Sequence, residues 1–213
     1  MPELVPIPSP GVALTYGDAG DALVVVLHDE YGRLPGLEPF AQALAAQGFR
    51  VAVPDLYEGV ATIDPPSAAE LCGRVADDDV IDTIARIADA ERAAGSERVG
   101  LLGFGPGGRL ALLAAQTGAA DAVVAYYASL ADEEHGLVPC PVLLQLPETP
   151  DDPDEVAAFI ERLGDHGTPV SSFRYAGTRA GFANATAKEN FDKNAAALAF
   201  ARSTAFLDAH LGD

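Results

Sequence analysis

Tryptophan is absent from the 213 residues, methionine occurs once and cysteine twice. Two cysteines, Cys72 and Cys140, cannot make a disulfide framework. The four histidines show no ligand spacing, so no metal site is expected. No dinucleotide or P-loop glycine pattern is present, and no cofactor is expected. Basic residues are scarce: 13 against 32 acidic ones, for a net charge of −19. Lys188 and Lys193 are the only lysines. That balance argues against nucleic acid and anionic membrane surfaces as partners, because both are polyanions. No apolar run approaches the roughly 20 residues of a membrane helix. No basic segment followed by a long apolar stretch marks a secretion signal. The expectation is a cytoplasmic monomer or homodimer whose partner is a small-molecule substrate or ligand.

What is present is a regular alternation. Hydrophobic residues make up 49% of the chain, enough for one well-buried core, and no linker or repeat divides residues 1–213. Ala22–Leu27, Val99–Phe104, Ala122–Tyr127 and Val142–Leu146 read as strands that are apolar throughout, as expected when both faces are covered. Val12–Tyr16 reads as an edge strand, Arg50–Val53 as a further strand, and Ser171–Tyr175 as the last. Between them lie helical patterns over Leu37–Gln47, Asp77–Ala94, Asp154–Leu163 and Asn190–His210. A shorter helix runs to Val75, with Ser67 as its cap and Glu70 completing a capping box. The fold class this predicts is α/β, with a mainly parallel central sheet and helices on both faces. In such sheets the ligand site lies beyond the C-terminal ends of the strands. The loops to examine are therefore 28–36, 54–60, 104–108, 127–138, 147–153 and 176–184.

One of these loops has a recognisable shape. Val99–Phe104, then Gly105-Pro106-Gly107-Gly108, then an apolar helix, is a strand–turn–helix with glycines at 103 and 107. A G-x-nucleophile-x-G turn of this kind is the nucleophile elbow of α/β-hydrolases. Here the central position is Gly105, which has no side chain. The residue after it normally lends its N–H to the oxyanion, and Pro106 has none.

Five pieces resemble the dienelactone hydrolase family of the α/β-hydrolase fold, in order along nearly the whole chain. They are Leu27-His28-Asp29-Glu30-Tyr31-Gly32, Val53-Pro54-Asp55-Leu56-Tyr57, Gly103–Gly108, Ala125–Ala128 and Tyr175–Ala183. The resemblance places Glu30 at a conserved glutamate. It places Gly105 at the nucleophile and Ala180 at the catalytic histidine. Pro147-Glu148-Thr149-Pro150 stands where the family carries its acid, with Asp151 and Asp152 just beyond. The resemblance thus implies the scaffold of an esterase or lactonase whose covalent chemistry does not carry over.

The residues left to act are carboxylates and a phenol. A carboxylate in an apolar pocket is a weaker acid and can exchange protons near neutral pH. Asp29, Glu30 and Tyr127 are the candidate catalytic residues, Tyr127 being preferred to Tyr126 on the resemblance. The candidate substrate-binding residues are His28, Tyr31, Tyr57, Phe104, Gly105, Pro106, Arg179, Ala180 and Phe182. His28 and Glu30 also have structural readings, as a satisfied strand-end histidine and as a carboxylate fixing its own turn. The function expected is a non-hydrolytic enzyme carrying out cyclisation, isomerisation or elimination on a small metabolite, polyketide-like compounds included. Two alternatives stay open: a ligand-binding pseudoenzyme without turnover, and a residual ester or lactone hydrolase using water activated by a carboxylate.

Overall fold

A computed structural model describes residues 4–186 and 189–212. The expected parallel sheet is its centre. Among the described residues nine strands form: β1 (Leu4–Pro6), β2 (Leu14–Tyr16), β3 (Leu23–Leu27), β4 (Arg50–Val53), β5 (Val60–Thr62), β6 (Val99–Phe104), β7 (Ala122–Tyr126), β8 (Val142–Thr149) and β9 (Val170–Arg179). Seven of them order as β2-β4-β3-β6-β7-β8-β9. Only β2, on the edge, runs antiparallel to its neighbour. The helices are α1 (Leu37–Ala45), α2 (Pro65–Cys72), α3 (Asp77–Ala93), α4 (Pro106–Gln116), α5 (Pro153–Asp165) and α6 (Lys193–Leu211).

Alternation along the strands builds two cores. Leu23, Val25, Leu27, Leu101, Val123 and Leu144 face one side, where α3, α4 and α5 cover them. Val24, Val26, Leu102, Val124, Tyr126 and Leu143 face the other side, covered by α1 and α6. Successive strand residues point to opposite faces, so a strand buried on both must be apolar at every position. One polar node interrupts the second core. Buried Gln145 donates to Ala199 O at 3.1 Å and Ser203 Oγ at 3.0 Å, and accepts from the Tyr175 hydroxyl at 2.5 Å. Ser203 also meets the Tyr126 hydroxyl at 2.8 Å, which ties α6 to β7, β8 and β9.

Several local expectations are corrected. The cap of α2 is Asp64, not Ser67: the Asp64 carboxylate accepts from Ser67 N at 3.1 Å and from Ser67 Oγ, and prolines 65 and 66 suit the first turn. Strands β1 and β5 pair into a small separate sheet that was not foreseen. Strand β9 continues to Arg179, paired with Thr149 across a bulge, where a loop after Tyr175 was expected. Tyr127 leaves β7 with φ +40, so the strand ends one residue earlier.

Two devices hold the loops that form the site. Arg33 is buried, and its guanidinium donates to four carbonyls, Pro8, Ser9, Val12 and Val53, which anchors the loop after β3. The elbow between β6 and α4 relies on bare backbone. A methyl on Gly103 would lie 2.2 Å from Gly107 O, and one on Gly107 would lie 2.2 Å from His28 O. Gly103→Ala should therefore lower unfolding free energy by about 2–3 kcal/mol, because the obstacle is backbone that cannot move aside. Gly164→Ala, where a methyl meets nothing within 4 Å, should be neutral or stabilising by about 0.5–1 kcal/mol. Chemical denaturation of the two variants measures the contrast.

Candidate active site

A cleft of about 1020 Å³ opens over the C-terminal ends of the strands. Its floor carries Gly105, Pro106 and Tyr127, and its sides carry Glu30, Tyr31 and Ala180. The loops after β3, β6, β7, β8 and β9 all reach it. Helix α2 supplies a wall through Pro65, Ala69 and Cys72.

Gly105 sits at φ +51, ψ −119, a conformation that strains any residue with a Cβ. Its N–H donates to Tyr126 O at 2.9 Å and its carbonyl accepts from Arg109 N at 3.0 Å, so the turn is fixed at both ends. A methyl built on Gly105 would stand 3.3 Å from Glu30 Oε2 and 3.7 Å from the Tyr127 ring. The Glu30 carboxylate and the edge of the Tyr127 ring thus both approach the point that a side chain on residue 105 would occupy. Burial raises the Glu30 carboxyl above the ordinary glutamate range, and the neighbouring Asp151 charge adds to this. The Tyr127 hydroxyl is buried and has no hydrogen-bond partner among the described residues. Burial, then the charges of Asp29 and Glu30, push it well above the usual phenol range, so it stays protonated.

The turn offers an oxyanion little. Pro106, the first residue of α4, has no N–H. In the loop after β3, Tyr31 N donates to Asp29 Oδ1 at 3.0 Å and Gly32 N to Asp29 O at 3.2 Å.

The remaining expected residues divide by depth. Asp29 faces away from the large cleft. It is 8% exposed, borders a small cavity of about 40 Å³, and accepts from Tyr31 N and Asn184 Nδ2. Burial and then the Glu30 charge raise its pKa to about 7. His28 was expected to bind substrate, but both ring nitrogens are committed. Nδ1 donates to Asp29 O at 2.8 Å and Nε2 accepts from Leu56 N at 3.3 Å. Burial pulls its pKa down to about 4, consistent with a neutral structural ring.

Tyr57 also misses the cleft. It is buried edge-on against His28, with ring centroids 4.7 Å apart, and its hydroxyl pairs with the Cys72 thiol. Phe104 lines the small cavity, not the cleft. Phe182 is fully buried against Tyr175 and Tyr127, and Arg179 is exposed at the end of β9 outside the cleft. Both corrections follow from β9 running on to residue 179, which moves the turn along the chain.

The cleft also contains residues not foreseen as site residues. Cys72 lies on its wall, but burial raises the thiol above its usual value, which disfavours the reactive thiolate. Ser129 donates to Glu155 Oε1 at 2.5 Å, and Arg109, Asp151 and Asp152 are further lining residues. Asp151, Asp152 and Ser129 lie in loops that follow strands, which is a signal that could have found them. Cys72 carries no such signal, because only the packing of α2 brings it in. Among the described residues lining the cleft there is no histidine.

The model of the dienelactone hydrolase family matches residues 12–211. No curated protein sequence matches the chain. Among solved structures, a protein assigned as a dienelactone hydrolase from Klebsiella pneumoniae superposes with a TM-score of 0.77 at 22% identity, over 95% of this chain and 96% of that one. A dienelactone hydrolase-like promiscuous phosphotriesterase from metagenomic libraries gives 0.72 at 18%, over 92% and 89%. A thermostable esterase from Pseudomonas putida gives 0.70 at 15%, over 98% and 82%. At these identities the likeness is one of fold.

The buried carboxyl of Asp29 makes a prediction about stability. Its folded pKa, about 7, lies above its unfolded value, so it stabilises the fold at low pH and loses that contribution as pH rises towards 7. His28, with a lowered pKa, acts in the opposite sense over an overlapping range, but it cancels when variant and parent are compared. The stability of Asp29→Asn relative to the parent should therefore rise with pH, by roughly 1–3 kcal/mol from pH 4 to pH 8. Denaturant titrations at a series of pH values measure this difference.

Proposed function

The chain belongs to the dienelactone hydrolase family, and within it we propose a non-hydrolytic enzyme that moves protons on a small oxygenated molecule. The observation that carries this is the convergence of Glu30 and Tyr127 on the empty position over Gly105. In this reading the Glu30 carboxylate removes a proton from a carbon beside a carbonyl. The C–H electron pair passes into the carbonyl, and the Tyr127 hydroxyl hydrogen-bonds the enolate oxygen. Returning the proton elsewhere gives isomerisation. Expelling a leaving group gives elimination, and attack on a second carbonyl of the same molecule gives cyclisation. A desolvated carboxylate is a stronger base than one in water, and a phenol that stays protonated is a suitable donor to a developing oxyanion. Asp29 supports the loop from behind and does not touch the substrate.

Hydrolysis through a covalent intermediate lacks support. No nucleophile stands on residue 105, no histidine lines the cleft among the described residues, and Pro106 removes one oxyanion donor. Loss of one such donor alone costs about 10²–10³ in rate. One observation favours a second reading, hydrolysis by activated water: Glu30 Oε2 is within reach of a water resting on Gly105.

Exchange of the α-protons of 2-tetralone in deuterated water, followed by NMR, separates the readings. The protein should accelerate exchange, Glu30→Gln should reduce the acceleration by about 10²–10⁴, and Tyr127→Phe should reduce it by about tenfold or more. Asp29→Asn should change it by less than about threefold, the range expected of a residue without substrate contact. Hydrolysis of 4-nitrophenyl acetate that depends on Glu30, without ketone exchange, would favour the water mechanism instead. Binding without either reaction would identify a ligand-binding protein.

A further inference from the structure

Charge in the cleft is one-sided, and this bears on what the cleft admits. Four carboxylates line it: Glu30, Asp151, Asp152 and Glu155. Among the described residues none of the four forms an ion pair. Two of them contact neutral groups. Asp152 accepts from the N–H groups of Asp154 and Glu155 at 3.1 and 2.9 Å, and Glu155 accepts from Ser129 Oγ. Such bonds leave the negative charge in place.

The cleft has one cationic lining residue among those described, Arg109, and it is already occupied. Its guanidinium meets both oxygens of Asp77, at 3.0 and 2.7 Å, and also Glu134. The paired acids hold its charge above the ordinary range, with Asp77 contributing most. A bidentate guanidinium with a second carboxylate has no unmet demand for an anion. Of the apolar lining, Pro65, Ala69, Leu146 and Val156 offer a surface for a hydrocarbon body. Tyr127, whose buried hydroxyl has no hydrogen-bond partner among the described residues, lines both this cleft and the small cavity beside it.

We propose that the cleft takes a small molecule carrying a protonated amine and that it rejects carboxylates and phosphates. The amine lies at the rim beside Asp151, Asp152 and Glu155. The apolar body lies against α2 and β8, with an uncharged oxygen at Tyr127. This rests on the reading of the cleft as an acid–base site and adds the charge class of its substrate. A carboxylate brought beside four unpaired acids meets like-charge repulsion in a partly desolvated space, and an ammonium meets the reverse.

Binding tests this without any assumption about turnover. The probes are 2-naphthylmethylamine, 2-naphthylmethanol and 2-naphthoate, which share one ring system and differ in charge. Calorimetric or NMR titration at neutral pH should rank them amine, alcohol, acid, with the amine at least about tenfold tighter than the acid. Added salt should narrow the gap, since two of the rim carboxylates, Asp151 and Asp152, are exposed. Asp151→Asn with Glu155→Gln should cut amine affinity and leave alcohol affinity within about twofold, a difference near measurement error. Asp78→Asn with Asp79→Asn, two exposed acids at the start of α3 that do not line the cleft, should leave the ranking unchanged. Equal or tighter binding of naphthoate, no measurable binding of any probe, or a ranking flattened by the α3 variant would each overturn the proposal. Selective amine binding without ketone exchange would instead count against the acid–base reading alone.

Discussion

The site depends on backbone packed against backbone where α4 leaves β6. Gly103, Gly107 and Gly108 let the first turn of the helix lie directly on the strand it came from and on the carbonyl of His28. No side chain could stand between them. This contact sets the height of residue 105 above the sheet, and so the point on which Glu30 and Tyr127 converge. The loop after β3 is then pinned from its other end by Arg33, whose acceptors among the described residues are backbone carbonyls of the segment before β2 and of the end of β4. Position in this cleft is achieved mainly by backbone groups, and the proposed chemistry is left to two side chains.

Most of the architecture was legible because the central strands are covered on both faces. Uniformly apolar runs such as Leu23–Leu27 have few other uses in a chain of this length, and the glycine-rich turn after Phe104 has a known shape. Strands β1 and β5 were not legible. Each has three residues with no period to detect, and their pairing is set by tertiary contact. The same limit applied to α2, whose cap lies three residues before the expected one. Asp64 and Ser67 are both good caps by type, and the prolines between them decide the outcome.

The site was legible in outline and not in depth. Loops after strands correctly located the cleft, yet two adjacent residues in one of them, Asp29 and Glu30, face different cavities. A turn has no fixed side-chain period, so the sequence does not say which neighbour faces inward. At β9 the difficulty was length. Four further residues of strand carry Arg179 away from the cleft and leave Phe182 in the core. Depth also separates the titrations: burial drives the His28 ring down, so that it is neutral at neutral pH, and the Asp29 carboxyl up to about 7, so that it is part-protonated there. A negatively charged protein thus lowers the charge in the layer beneath its cleft, while the more exposed acids of the rim keep theirs.

The glycine at φ +51, ψ −119 has a consequence on an evolutionary timescale. A residue with a Cβ held there stores roughly 1–3 kcal/mol of backbone strain, which glycine does not. A lineage that reaches glycine at 105 acquires that much stability, which later destabilising substitutions elsewhere can then consume. Placing a side chain there would have to give it up again, at a point already crowded by Glu30 and next to Pro106, which has no N–H. The position therefore behaves as a ratchet. Selection on stability alone would keep it at glycine, and whatever chemistry the cleft performs would have to evolve around that vacancy.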